Sequence, residues 1–382
     1  MKRSNLYAIL IVSLFITSSF IVIGLFPANV AKASNGGVIA VDYYHQVVGN
    51  QTIYRAYGIP PSYSDQIADM SKMWGNLTKA GYTVNTQLLN QTTPITSSEL
   101  SGVSVLFIGQ LNALSLNYTA SEVAAIKGWF QTGSKLIMVS GNSDYAYGNA
   151  TANFSWQEGV PNMLLSAIGS SLRLDYGEVT DQPGVGASGA GFRVYASAAA
   201  GGVNTQGWAA TLTSGTDKVR FHGASNVIGY LNGKYVSFDQ LPTDTVAWLY
   251  RTSSQGSLQA QGAANTLVTP SGAPGQWVLA AAEKVPEGST YSKVVLGGAG
   301  FIGSYITAAS TEFSYNVTFT GLQFVINAVN WGTTVENVPT NYTWYLIIGG
   351  IAGAIIIIAV VAIYIMRRKP KSMPAPMPAP AS

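Results

Sequence analysis

The strongest constraint on this 382-residue chain lies near its end, where residues 345–366 read YLIIGGIAGAIIIIAVVAIYIM, twenty-two positions without a charge. A helix rising about 1.5 Å per residue needs roughly 20 apolar residues to cross a hydrocarbon core of about 30 Å, and only a closed helix satisfies its backbone there. A buried helix of a soluble core rarely stays apolar for so long. Trp344 and Tyr345 stand at one end of the run, and Arg367, Arg368, Lys369 and Lys371 follow the other. The positive-inside rule then predicts a span over 344–366, a cytoplasmic Pro-rich tail over 367–382, and an exported part over 34–343.

The first residues agree with that orientation. Lys2 and Arg3 precede an apolar run over 6–26, and Ala31-Lys32-Ala33 offers the small-x-small pattern of a signal-peptide cleavage site, so 1–33 reads as a secretory signal. The run is long enough to serve instead as an uncleaved anchor, and both readings export the middle.

All 17 acidic residues lie between the two apolar segments, whereas seven of the 20 Lys and Arg lie in the flanks. The exported part therefore carries thirteen basic against seventeen acidic groups, and the formal +3 of the chain reflects membrane topology. It gives no support for a nucleic-acid partner. The absence of cysteine excludes a disulfide, a thiolate metal site and a cysteine nucleophile. Eight Asn-x-Ser/Thr sequons, at Asn50, Asn76, Asn90, Asn117, Asn149, Asn153, Asn316 and Asn341, all fall in the exported part and predict a glycosylated surface. With its low charge and abundant Tyr and Gly, the chain resembles an archaeal cell-surface glycoprotein in composition.

Along the chain, 37–44 reads as a buried strand, 63–80 as a helix with apolar residues at Ile67, Met70, Met73, Trp74 and Leu77, and 82–89 as a strand. A strand over 103–109, a helix over 120–131 and a strand over 135–140 follow. This alternation predicts a mostly parallel sheet covered by helices on both faces, an α/β three-layer sandwich. A helical pattern over 161–168 and a strand over 172–179 come next. Residues 183–275 lose helical periodicity and read as a β-rich antiparallel insertion, with one clear hairpin turning at Asn232-Gly233. Strands over 276–284 and 293–299, joined through Pro286 and Gly288, and a closing helix over 321–331 complete the domain.

This order of elements resembles the class I glutamine amidotransferase-like, flavodoxin-like superfamily in its non-enzymatic, membrane-associated branch. The likeness rests on the opening strand ending in Asp42, on Ala80-Gly81-Tyr82-Thr83-Val84, on Ser121-Glu122 to Gly133-Ser134-Lys135-Leu136-Ile137-Met138-Val139, and on Asn327-Ala328-Val329-Asn330-Trp331. It covers about 38–180 and 276–333. The arrangement of domain plus C-terminal span also resembles the luminal subunit of eukaryotic oligosaccharyltransferase, where such a domain is a scaffold. Catalytic members of the superfamily carry a cysteine nucleophile after a central strand; here Ser140-Gly141-Asn142-Ser143-Asp144 occupies that region, and amidotransfer chemistry is excluded.

Residues at the carboxyl ends of parallel strands converge on one edge, the default ligand site of such a sheet. Asp42, His45, Gln110, Asn142, Ser143 and Asp144 are the candidates for a glycan or peptide ligand there, with His45 read as a surface histidine. Gly141 to Tyr145 approaches the G-x-S-x-G elbow of hydrolases but lacks its last glycine, and His222 is the only histidine after Ser143. Gly297-Gly298-Ala299-Gly300 follows a strand without the Lys-Ser/Thr of a phosphate loop, so it reads as a tight turn. Two histidines 177 residues apart make no recognisable ligand spacing, and no metal or cofactor is expected. Together these features predict a membrane-anchored surface glycoprotein that binds or scaffolds, with membrane or surface-layer proteins as partners. Two alternatives are an accessory subunit of a transporter or glycosyl-transfer complex, and an exported hydrolase pairing two of Asp42, Asp144, Asp175 and Glu283.

Overall fold

The structure is a computed structural model that describes residues 36–42, 45, 64–89, 94–109, 117–143, 155–260, 266–268, 271–301, 313–314, 317–339, 358–359 and 363. The chain divides into two units, Met1–Val338 and Pro339–Ser382. The predicted leader lies outside the described residues. So does the predicted span, except for Ile358, Ala359 and Ile363, which are helical and exposed. Among the described residues no helix is long and apolar enough to cross a membrane.

The first unit is a mixed α/β fold built on a seven-stranded sheet. In chain order its elements begin with β1 (Val38–Asp42), α1 (Ser64–Lys79), β2 (Thr83–Leu89), β3 (Val103–Ile108), α2 (Ala120–Phe130), β4 (Leu136–Ser140) and α3 (Ser155–Ala167). After α3 come β5 (Leu172–Thr180), β6 (Arg193–Ser197), α4 (Ala210–Thr213), β7 (Lys218–His222), β8 (Ser225–Leu231), β9 (Lys234–Val236), β10 (Val246–Arg251) and β11 (Gly256–Ala260). The chain closes with β12 (Pro274–Gly275), β13 (Val278–Glu287), β14 (Thr290–Gly297), the short pair β15 (Phe313–Ser314) and β16 (Val317–Thr318), and α5 (Gly321–Thr333). The main sheet runs β10-β13-β14-β4-β3-β1-β2, parallel from β14 to β2 and antiparallel at β13 and β10.

Its strands β1, β3 and β4 are apolar at nearly every position because both faces are covered. On one face Ile39, Val41, Val105, Phe107, Leu136 and Met138 pack with Met73, Trp74 and Leu77 of α1 and Phe324, Val325, Ala328 and Val329 of α5. The alternate residues Ala40, Leu106, Ile108, Ile137 and Val139 meet Ile126 and Phe130 of α2 and Leu164 and Leu165 of α3 on the other. Each side chain points to the face opposite its neighbour's, as a period of two demands. Helix α5 lies so close that a Cβ on Gly332 would come within 2.3 Å of Leu136. Thr119 starts α2 with a reciprocal capping box, its side chain accepting from the Glu122 amide while Glu122 reaches back.

Strands β12-β11-β5-β8-β9 form a second, antiparallel sheet. The predicted hairpin is β8–β9, and Asn232 and Gly233 both have positive φ, at 51° and 81°, as the type I′ turn requires. Two features differ from the sequence reading. The insertion is shared between sheets: β5, which precedes it, lies at the centre of the second sheet, while β10, from within it, edges the main sheet beside β13. A strand's own pattern records how buried it is, and both sheets bury theirs. The third helix also starts earlier, at Ser155, with Pro161 inside it. A proline inside a helix removes one i→i−4 hydrogen bond and crowds the carbonyl four residues back, which kinks a helix without always ending it.

Candidate functional site

The sheet order reverses direction at β1, which lies between β2 and β3, so the carboxyl ends of β1 and β3 mark the switch point where ligands of such sheets bind. A buried polar cluster fills it. His45 is fully buried, which corrects its reading as a surface residue. Its Nδ1 donates to Asp42 Oδ2 at 2.8 Å, its backbone amide faces Asp42 Oδ1 at 3.3 Å, and its Nε2 lies 3.3 Å from Glu122 Oε1. Tyr118 stacks on the imidazole with ring centroids 3.7 Å apart and donates its hydroxyl to Asp42 Oδ2. Glu122 also accepts from the amides of Ile95 at 3.0 Å and Thr119 at 2.8 Å.

One imidazole between two carboxylates is an arrangement that holds a proton. Burial pulls the His45 pKa down, but the Asp42 hydrogen bond and the charges of Asp42 and Glu122 outweigh it and raise it above its ordinary value. Burial and Asp42 push the Tyr118 phenol well up. The cluster is an internal brace: every group in it faces another, and its members are at most 5% exposed.

The second cluster lies at the end of β4, where the resemblance would put a nucleophile. Ser143 Oγ donates to Glu158 Oε1 at 2.7 Å, and Ser225 Oγ donates to the same oxygen at 3.3 Å. Among the described residues the buried Glu158 Oε2 has no hydrogen-bond partner, and burial lifts the Glu158 carboxyl to about 8 against the Ser143 hydrogen bond that lowers it. A serine bonded to a carboxyl poised near neutrality has the makings of a nucleophile and base. The surrounding geometry uses it otherwise. The Ser143 amide donates to Gly223 O at 2.7 Å, and Ser143 is 1% exposed, so its hydroxyl is shut away from a substrate.

These bonds belong to a seam between the main sheet and the β7–β8 corner, β7 pairing with β6 and β8 belonging to the second sheet. The β7–β8 corner sits against the ends of β4 and β14: Asn142 Nδ2 donates to His222 O at 2.9 Å and the Ser225 amide to Gly298 O at 2.9 Å. A Cβ on Gly298 would stand 2.0 Å from Ser225 O, so the Gly297-Gly298 pair is a close backbone approach between sheets and no anion cradle. His222 meets this corner through its carbonyl, which accepts from Asn142, and its ring packs edge-on to Phe192 at 5.3 Å.

The structure thus unites Asp42 with His45 and Asn142 with Ser143, each pair in a separate cluster, while Gln110 and Asp144 lie outside the described residues. Sequence reasoning missed Tyr118, Glu122, Glu158 and Ser225. The Thr119-x-x-Glu122 capping box was legible, but as a helix start. Of the hydrolase carboxylates, Asp42 is held by His45 and Tyr118, Glu283 by Ser170 and Ser171, and Asp175 by the amides of Tyr176 and Leu267. Among the described residues no group of three or more His, Cys, Asp or Glu could hold a metal ion. Asn76 and Asn117 are exposed, and the other six sequon asparagines lie outside the described residues.

No protein-family model and no curated protein sequence matches this chain. Among solved structures, one titled "mmIFT52 N-terminal domain" aligns at a TM-score of 0.46 and 12% identity, covering 78% of this chain and 97% of that one.

Proposed function

We propose that this chain is an exported glycoprotein held in the cell membrane by a C-terminal helix, with its ectodomain acting by binding or scaffolding. The ectodomain is then a three-layer α/β sandwich akin to the non-catalytic amidotransferase-like domains, with its C-terminus in the cytoplasm. Membrane or surface-layer proteins are its partners, and a glycan or peptide its ligand. One observation supports the non-catalytic part: where the resemblance places a nucleophile, Asn142 and Ser143 tie the end of β4 to the β7–β8 corner, and the Ser143 amide is held by Gly223 O. The uncharged run over 345–366 and its basic flank support the anchor.

The test is fractionation of cells expressing the full chain, followed by detergent purification. The protein should stay with membranes through alkaline washing, and protease added outside intact cells should remove the ectodomain. A second reading, an exported hydrolase, draws on the Ser143–Glu158 bond of 2.7 Å. If purified protein turned over an ester, peptide or glycoside and Ser143→Ala abolished it, the binding reading would fall.

A further inference from the structure

Helix α1 presents one open face. Lys72, Asn76 and Lys79 recur at spacings of four and three along it, which puts them on one side of the helix. Together with Ser71, Gly75 and Leu322 of α5 they line an open groove of about 650 Å³. A Cβ added at Gly75 would meet nothing within 4 Å, so the groove is clear of protein beside Asn76. Asn76 is exposed, and Asn76-Leu77-Thr78 is a complete sequon.

On the glycoprotein reading above, we infer that the groove between α1 and α5 is the seat of an N-linked glycan carried by Asn76. An open groove of that size gives the first sugar rings a surface to lie along without enclosing them. Leu322 offers an apolar surface for the C–H face of a sugar. Exposed Lys79, in the last turn of α1, offers an ammonium donor to sugar hydroxyls one helical turn from the attachment point. The occupant is part of the same molecule, and its point of attachment, Asn76, is in the lining of the groove. Asn117, the other described sequon, is followed by residues already engaged: Tyr118 is buried on Asp42, and the Thr119 hydroxyl bonds Glu122 Oε2 at 2.8 Å.

The test uses full-length protein purified from its native membrane. Glycopeptide mass spectrometry reads occupancy at Asn76, and acylation by an N-hydroxysuccinimide ester, read peptide by peptide, reports access to Lys79. The inference expects a glycan on Asn76 and severalfold faster acylation of Lys79 in both Asn76→Gln and Thr78→Ala, two changes at exposed positions that remove the sequon by different atoms. An unmodified Asn76 overturns it, as does a modified Asn76 with Lys79 acylated equally in all three proteins. If no sequon carries sugar the glycoprotein reading fails as well; if Asn117 is modified and Asn76 bare, only this inference fails.

Discussion

At the scale of single residues, two buried groups keep protons that water would let them lose. Glu158 is raised from an ordinary 4.5 to about 8, chiefly by burial, and His45 is raised by its two carboxylates. For a group whose folded pKa lies above its unfolded one, stability is fully present below the unfolded value and is lost as pH rises through the folded value. The window for Glu158 therefore runs from 4.5 to about 8, and His45 adds a loss in the same direction above its ordinary 6.5. At about 1.4 kcal/mol per unit, the Glu158 contribution amounts to roughly 5 kcal/mol. Thermal melting of the purified protein should show the midpoint falling between pH 5 and about pH 8, and Glu158→Gln should flatten that fall while keeping the side chain's shape. A variant that melts with the same pH slope as the parent would contradict the assignment. Asp42, His45, Asn142 and Ser143 were legible as strand-end residues. Their partners were not, because Tyr118 stands 76 positions from Asp42 and Ser225 stands 67 from Glu158, separations that only the folded chain closes.

At the scale of elements, glycines separate tolerance from constraint. Gly128 lies on the exposed side of α2 with nothing within 4 Å of an added Cβ, so Gly128→Ala should stabilise by about 0.8 kcal/mol through helix propensity. Gly298 is in the seam, where an added Cβ meets Ser225 O, and Gly298→Ala should cost about 3 kcal/mol because neither backbone can retreat. Chemical denaturation of the two variants checks both signs. The elements themselves were largely readable: α1, α2, α5 and the strands of the parallel half follow from apolar spacing and from Gly81 and Gly133, both at positive φ after their helices. What failed was assignment to a sheet. Val246–Arg251 and Leu172–Thr180 carry ordinary strand patterns, and only their hydrogen-bond partners, β13 for one and β8 and β11 for the other, decide where each belongs.

At the scale of the whole molecule, the first unit closes both faces of its main sheet with its own helices, and among the described residues its core clusters draw only on positions before 338. On the proposed export and anchoring, a chain ended after residue 343 should leave the cell as a folded protein; its retention in the membrane fraction would mean that the anchor lies elsewhere. The sheet order has one more consequence. Strand β4 finds its second neighbour only in β14, and Lys135 reaches Ser292 across 157 positions. A ribosome adding about 5 to 20 residues per second needs on the order of 10 to 30 s to cover that stretch. For that long β4 has an unpaired edge, and the first half of the protein waits, newly made and incomplete, for its far end to arrive.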